Sequence, residues 1–212
     1  MIFSKRVPRV AVVFSFLLAC QPGLPAQETE TALIQIKKNA MPAGTEARGA
    51  IDVPDDVSWR TSVAKKSDKD EPMIISGTVF EADGETPAPN ILIYFYHTDS
   101  EGYYGRRGEI RDGHFRGWML TGADGKYEFS SIKPAPYPGR TVAAHVHMTL
   151  TGKTFREDSI NAILFEGDKF ITTEERNSVG KWEEMNPIVK LERGTDGILR
   201  GRRDIRLWKK VD

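Results

Sequence analysis

Two histidines and two tyrosines carry the chemistry of this sequence. His145 and His147 form an H-x-H pair within Ala143-Ala144-His145-Val146-His147-Met148-Thr149-Leu150. The segment has the apolar, β-prone character of a buried strand. Successive side chains on a strand point to opposite faces, so residues two apart share one, and both imidazoles are expected to project together. Tyr104 and Tyr137 lie upstream in turn-rich segments and can supply anionic oxygen. Two imidazoles with two phenolates suit a hard, highly charged cation, above all ferric iron. Each residue alone also has a plain reading: ordinary strand histidines, a half-buried aromatic at 104, a corner-packing ring between Pro136 and Pro138. Of the remaining residues, His97 and His114 read as structural or exposed, Trp118 as core or pocket wall, and Arg106, Arg107 and Arg111 as a solvated loop or a lure for an anionic substrate.

The elements that must position these residues are short strands separated by turn signals. Ile74–Phe80 reads as a strand ending at the Asp83-Gly84 turn, and Ile91–Tyr96 as a second. Glycines 102, 105, 108 and 113 mark loops; Phe115–Leu120 and Tyr127–Phe129 read as strands around the tight turn Asp124-Gly125. A proline-rich corner, Lys133–Pro138, leads into the H-x-H strand, expected over Thr141–Leu150. Ile160–Phe165, a short helix opening at Thr172 or Thr173, and strands near Ile188–Leu191 and Ile198–Leu207 follow. Many short strands with little helix predict an all-β fold, a β-sandwich, over residues 73–212. Residues 21–72 read as an irregular tether or extension. It is broken by Pro22, Pro25, Pro42, Gly44, Gly49 and Pro54, and carries one short helix over Thr29–Asn39 with Leu33, Ile34 and Ile36 as its apolar positions.

Composition excludes some classes. In 212 residues, Lys+Arg 30 balance Asp+Glu 30, so no overall field attracts nucleic acid or acidic lipid. No apolar run is long enough for a transmembrane helix. Lys5, Arg6 and Arg9 precede the apolar stretch Val10–Ala19, the layout of a secretory leader over residues 1–20. The one cysteine, Cys20, closes Leu17-Leu18-Ala19-Cys20, which resembles a bacterial lipobox. The expectation is an exported protein, lipid-anchored through Cys20 and facing the periplasm or cell exterior. An ordinary leader cut after Ala26 is the alternative. With no other cysteine, internal disulfides are excluded.

Three stretches, in order, give the domain a resemblance to a known family. They are Gly77-Thr78-Val79-Phe80 through Pro87-Ala88-Pro89-Asn90; His97-Thr98-Asp99-Ser100-Glu101-Gly102-Tyr103-Tyr104; and Phe115-Arg116-Gly117-Trp118 through Asp124-Gly125-Lys126-Tyr127-Glu128-Phe129 and Pro134-Ala135-Pro136-Tyr137-Pro138 to His145-Val146-His147. Over about residues 73–150 the chain resembles the intradiol ring-cleavage dioxygenases, non-haem ferric enzymes of prealbumin-like sandwich fold that open catechol rings between the two hydroxyls. The resemblance implies Fe(III) held by Tyr104, Tyr137, His145 and His147, with Tyr104 rather than Tyr103 selected by its place two residues after Gly102. It implies a small aromatic diol and dioxygen as substrates, a muconate-type product, and Tyr137 as the ligand that leaves and accepts a substrate proton.

The chain departs from the family pattern at three places. Val142 stands where an arginine is common, and Arg140 is the candidate to fill its catalytic role. The interval from Tyr137 to His145 is short, and the family's glutamine has no clear counterpart near Ile163–Phe165. A non-catalytic binding sandwich of the transthyretin or carboxypeptidase-regulatory type shares much of the strand pattern, but has no reason to keep Tyr104, His145 and His147 together. Zinc on the same ligands is disfavoured because phenolate is an uncommon zinc donor. A homo-oligomer packed through the N-terminal segment is a further expectation.

Overall fold

The computed structural model describes residues 26–40, 49–63, 70–105, 113–178 and 185–208. Cys20 with the candidate leader, Arg106, Arg107 and Arg111, and Trp182 lie outside the described residues. Two sheets face each other. The first runs β1 (Arg60–Ser62), β5 (Lys126–Ile132), β2 (Pro72–Phe80), β10 (Leu199–Arg202), β9 (Glu192–Arg193), with β11 (Ile205–Arg206) also on β2. The second runs β4 (Phe115–Leu120), β3 (Leu92–His97), β6 (His145–Thr151), β7 (Asp158–Phe165), β8 (Ile188–Val189).

Alternation along the strands decides what lies between the sheets. Ile93 and Phe95 of β3, Val146, Met148 and Leu150 of β6, and Ile75 and Phe129 of the first sheet are all buried in one cluster. Phe95 and Phe129 stack across the gap at 4.0 Å between ring centroids. The opposite parity of the second sheet, Leu92, Tyr94 and Tyr96 on β3 and His145, His147 and Thr149 on β6, therefore faces outward. Register places Tyr96 beside His147 and Tyr94 beside Thr149.

Half of that outer face is covered by the segment expected to be a tether. Helix α1 (Ala26–Lys38) lays Ala32, Leu33 and Ile36, with Ala50 and Val53, against Leu92 and Leu120. The i, i+4 pair Ala32 and Ile36 makes the buried stripe. Ile34, one of the three apolar positions of the expected helix, is 53% exposed. Two ties hold this layer. Asn39 Nδ2 donates to the carbonyls of Gly152 and Lys153, and the buried Glu157 carboxylate accepts from Gly49 N at 2.8 Å and from Thr149 Oγ1 at 2.9 Å. Trp118 donates to Gly49 O and so packs under this layer rather than lining the metal-donor cluster. β1 pairs in parallel with β5. Packing thus crosses the boundary placed at residues 72–73.

The remaining elements fall close to expectation. Thr172 and Glu175 form a reciprocal capping box at α2 (Thr173–Ser178): Thr172 N donates to Glu175 Oε2, and Glu175 N to Thr172 Oγ1. The strand expected over Ile198–Leu207 breaks at Arg203-Asp204, where Asp204 Oδ1 accepts from Thr78 N. No helix among the described residues is long and apolar enough to cross a membrane.

Candidate metal centre

The uncovered half of the outer face carries the four residues singled out by type. β6 begins at His145 rather than at Thr141, so His145 and His147 are its first outward positions. The β6–β7 register shifts between Val146 and Met148, leaving Asn161 and Ala162 opposite the single residue His147. Such bulges re-aim side chains next to functional sites. Tyr96 stacks on the His147 ring at 4.6 Å and 18° and fixes its plane.

Two loops bring the tyrosines over this strand. After β3 the chain turns on Asp99, whose Oδ1 accepts from Glu101 N and Tyr103 N, both at 2.9 Å. The turn delivers Tyr104. The β5–β6 connection delivers Tyr137. The loops are joined to each other: Thr98 Oγ1 donates to Ala135 O at 2.7 Å, and Ala135 N to Asp99 O at 3.0 Å. At the crossing, Gly102 has φ +89°, and a Cβ there would lie 2.2 Å from Pro136 O. Only glycine accepts both the left-handed backbone and the contact. The Asp99-x-x-Gly102 spacing is a turn signal readable in the sequence; its partner loop is not.

The four donor atoms form one contiguous cluster. Tyr104 Oη lies 2.6 Å from Tyr137 Oη, Tyr137 Oη 3.1 Å from His145 Nε2, and His145 Nε2 3.0 Å from His147 Nε2. Ligands at right angles and about 2.1 Å from a metal sit about 3.0 Å apart, so the cluster has the spacing of a ligand set. The tautomer agrees. His145 Nδ1 is 2.7 Å from Ala143 O, a carbonyl that can only accept, so Nδ1 carries the proton and Nε2 presents a lone pair. Burial first, then the neighbouring His145, pushes the His147 pKa from 6.5 down to about 4, leaving it neutral and able to ligate at neutral pH. Among the described residues, no group of three or more His, Cys, Asp or Glu could hold a metal. Any metal here therefore depends on the tyrosines, and a neutral phenol, with pKa near 10, ionises when a highly charged cation is its partner.

The candidate residue Arg140 is exposed. Its backbone N donates to Tyr137 O at 3.2 Å, which puts it on the same turn as Tyr137 but outside the donor cluster. Val142 is 43% exposed. His97 is fully buried, its Nδ1 donating to Thr98 O and its Nε2 accepting from Ser131 Oγ, each at 2.7 Å. It is a structural histidine, as expected, and His114 is exposed. Burial holds the His97 pKa at about 4 against an ordinary 6.5. The unfolded chain takes up this proton near pH 6.5 and the folded chain resists it until about pH 4. Folding stability therefore falls as pH drops through that window and is untouched above it. At about 1.4 kcal/mol per pH unit, the loss is on the order of 3 kcal/mol. Urea midpoints at pH 4.5 and 7.5 check this; His147 is depressed over the same window, so His97→Gln should reduce the difference without abolishing it.

Known proteins resemble this chain in sequence and in fold. Residues 54–192 match the model of a family described as dioxygenase. Catechol 1,2-dioxygenase 1 of Acinetobacter lwoffii is 39% identical over 69 residues, 31% of this chain and 22% of that protein. Chlorocatechol 1,2-dioxygenase of Rhodococcus opacus is 28% identical over 145 residues, 58% of this chain and 55% of that protein. The chain thus spans little more than half the length of these curated relatives at most. Among solved structures, the dioxygenase domain of a dioxygenase carbohydrate-binding protein fusion from Streptomyces sp. SirexAA-E superposes with a TM-score of 0.56 at 22% identity, covering 81% of this chain and 97% of that one.

Proposed function

Because the chain belongs to the intradiol ring-cleavage dioxygenase family, we propose that Tyr104, Tyr137, His145 and His147 hold ferric iron for the cleavage of a catechol-type ring by dioxygen. The bond between the two hydroxyl-bearing carbons breaks, both oxygen atoms enter the product, and a muconate-type diacid forms without an external reductant. The observation that carries this reading is an unbroken run of two phenolic oxygens and two imidazole nitrogens, each 2.6–3.1 Å from the next. A binding sandwich has no use for it.

When bound, ferric iron supplies a Lewis acid and a template on which the diol and dioxygen meet. The chain's own residues divide the remaining work. His145 and His147 stand on a sheet strand, one fixed by a carbonyl and the other by the Tyr96 ring, and serve as immobile holders. Tyr104 sits on a loop fastened through Asp99 and supplies the permanent phenolate. Tyr137 lies between two prolines on the β5–β6 connection and is the donor that the family resemblance assigns to swing away, its Oη then taking the proton of a substrate hydroxyl. Arg140, two residues beyond the Pro138 turn, is the candidate to meet negative charge on the substrate in place of the arginine that Val142 replaces. A leader ending in a lipid-modified Cys20 would put this reaction outside the cytoplasm.

Titration of purified protein with ferric iron tests the reading. A wine-red tyrosinate-to-iron band at one equivalent is expected, followed by oxygen uptake with at least one of catechol, protocatechuate and hydroxyquinol. Protein that stays colourless after loading overturns it.

A further inference from the structure

The peptide between Ala143 and Ala144 is engaged at both ends. Its carbonyl accepts the Nδ1 proton of His145 at 2.7 Å. Its N–H donates to Asp168 Oδ2 at 2.9 Å. Asp168 itself is held in place, because its other oxygen accepts from Phe170 N at 2.9 Å and its backbone N donates to Phe165 O at 3.1 Å. The half-buried carboxylate therefore lies one peptide away from an imidazole whose Nε2 faces Tyr137 Oη and His147 Nε2.

We propose that Asp168 is a positioning residue for His145, acting through the Ala143–Ala144 peptide. An anion on the amide hydrogen draws the peptide's electrons toward its oxygen and makes that carbonyl a stronger acceptor; hydrogen bonds in a chain polarise one another. The strengthened carbonyl holds the His145 proton on Nδ1, against the ordinary preference of histidine for Nε2–H. The Nε2 lone pair then stays aimed at the cluster. Carboxylates commonly orient metal-binding histidines by direct contact; here the contact is relayed by backbone. Asp168 also fixes where β6 starts, since Ala144 N bonds to it instead of to a strand partner.

The proposal rests on the ferric reading only for its metal arm, and the iron-free protein tests it separately. Long-range proton–nitrogen spectra of the apo-protein are expected to show His145 as the Nδ1–H tautomer. In Asp168→Asn and Asp168→Ala the signal should move toward the Nε2–H form. The same variants should bind ferric iron about tenfold more weakly, the lower end of the effect of supporting residues around metal ligands, and their charge-transfer band should shift. An Nε2–H tautomer in the wild-type apo-protein overturns the proposal, even if neither variant folds. So do variants that melt earlier but keep the wild-type tautomer and iron affinity, because they assign Asp168 to scaffolding alone. Wild-type protein that binds no iron while its His145 responds to Asp168 refutes the ferric reading and leaves the relay standing.

Discussion

Tyr104→Phe and Tyr137→Phe are expected to fail in different ways. Both remove one oxygen from the 2.6 Å pair and both lose part of the tyrosinate colour. With Tyr104 as the anchored phenolate of the proposed centre, its loss should release iron: affinity falls by more than the roughly tenfold to hundredfold seen when only a supporting residue is removed. Tyr137 is the proposed leaving ligand. His145, His147 and Tyr104 should still retain iron in Tyr137→Phe, with a shifted band. Turnover should nevertheless fall by about 10²–10⁴, the usual contribution of a positioned proton acceptor. Iron content, the visible spectrum and oxygen uptake measured on the same samples separate the two. Equal iron loss in both variants would remove the distinction between holder and leaving ligand, and undiminished colour in both would remove the tyrosines from the site.

Gly102→Ala should destroy the site without touching any donor. The residue has φ +89°, and an added Cβ would meet Pro136 O at 2.2 Å and Pro138 Cδ at 2.8 Å. Left-handed strain in a non-glycine residue costs about 1–3 kcal/mol, and forcing atoms into a filled space about as much again. The obstructing atoms are mainly backbone, so the relief open to the chain is to part the Tyr104 loop from the Tyr137 loop. Loss of iron and colour is expected with the sandwich still folded by circular dichroism. Gly139→Ala is the internal control. It also has positive φ, +70°, and sits two residues from Tyr137, but nothing lies within 4 Å of the added carbon. It should cost only the conformational part, about 1–2 kcal/mol, and keep its iron. Similar iron binding by the two variants would mean that the loop crossing does not set the donor spacing.

These outcomes divide along a line already present in the sequence. Strand periodicity, the turn dipeptides and the parity of His145 and His147 are local properties; each follows from a few neighbouring residues and the period of a β-strand. They yielded the sandwich, most strand positions and the pairing of the two histidines on one face. The N-terminal segment was less legible. Ile34 looks apolar and stays exposed, while Ala32 is buried, because the helix orients by what it meets at Leu92 and Leu120 rather than by its own hydropathy. Glu157 similarly reads as one more surface charge until the folded chain brings Gly49 and Thr149 to it.

Residue type pointed to the class of metal, since two phenols and two imidazoles suit few partners other than a hard, highly charged cation, and the family resemblance picked out Tyr104 from its neighbour Tyr103. Tertiary structure alone decided that these groups meet. Tyr104 and Tyr137 are 33 residues apart and come to 2.6 Å through a crossing permitted by Gly102. His145 is aimed by a carboxylate that bonds its neighbouring peptide from 24 residues away. A hydrogen bond or a steric contact depends on distance in space, and short-range sequence pattern carries no record of which distant segment arrives there. Chemistry was therefore legible in the composition of the site, and its geometry only in the fold.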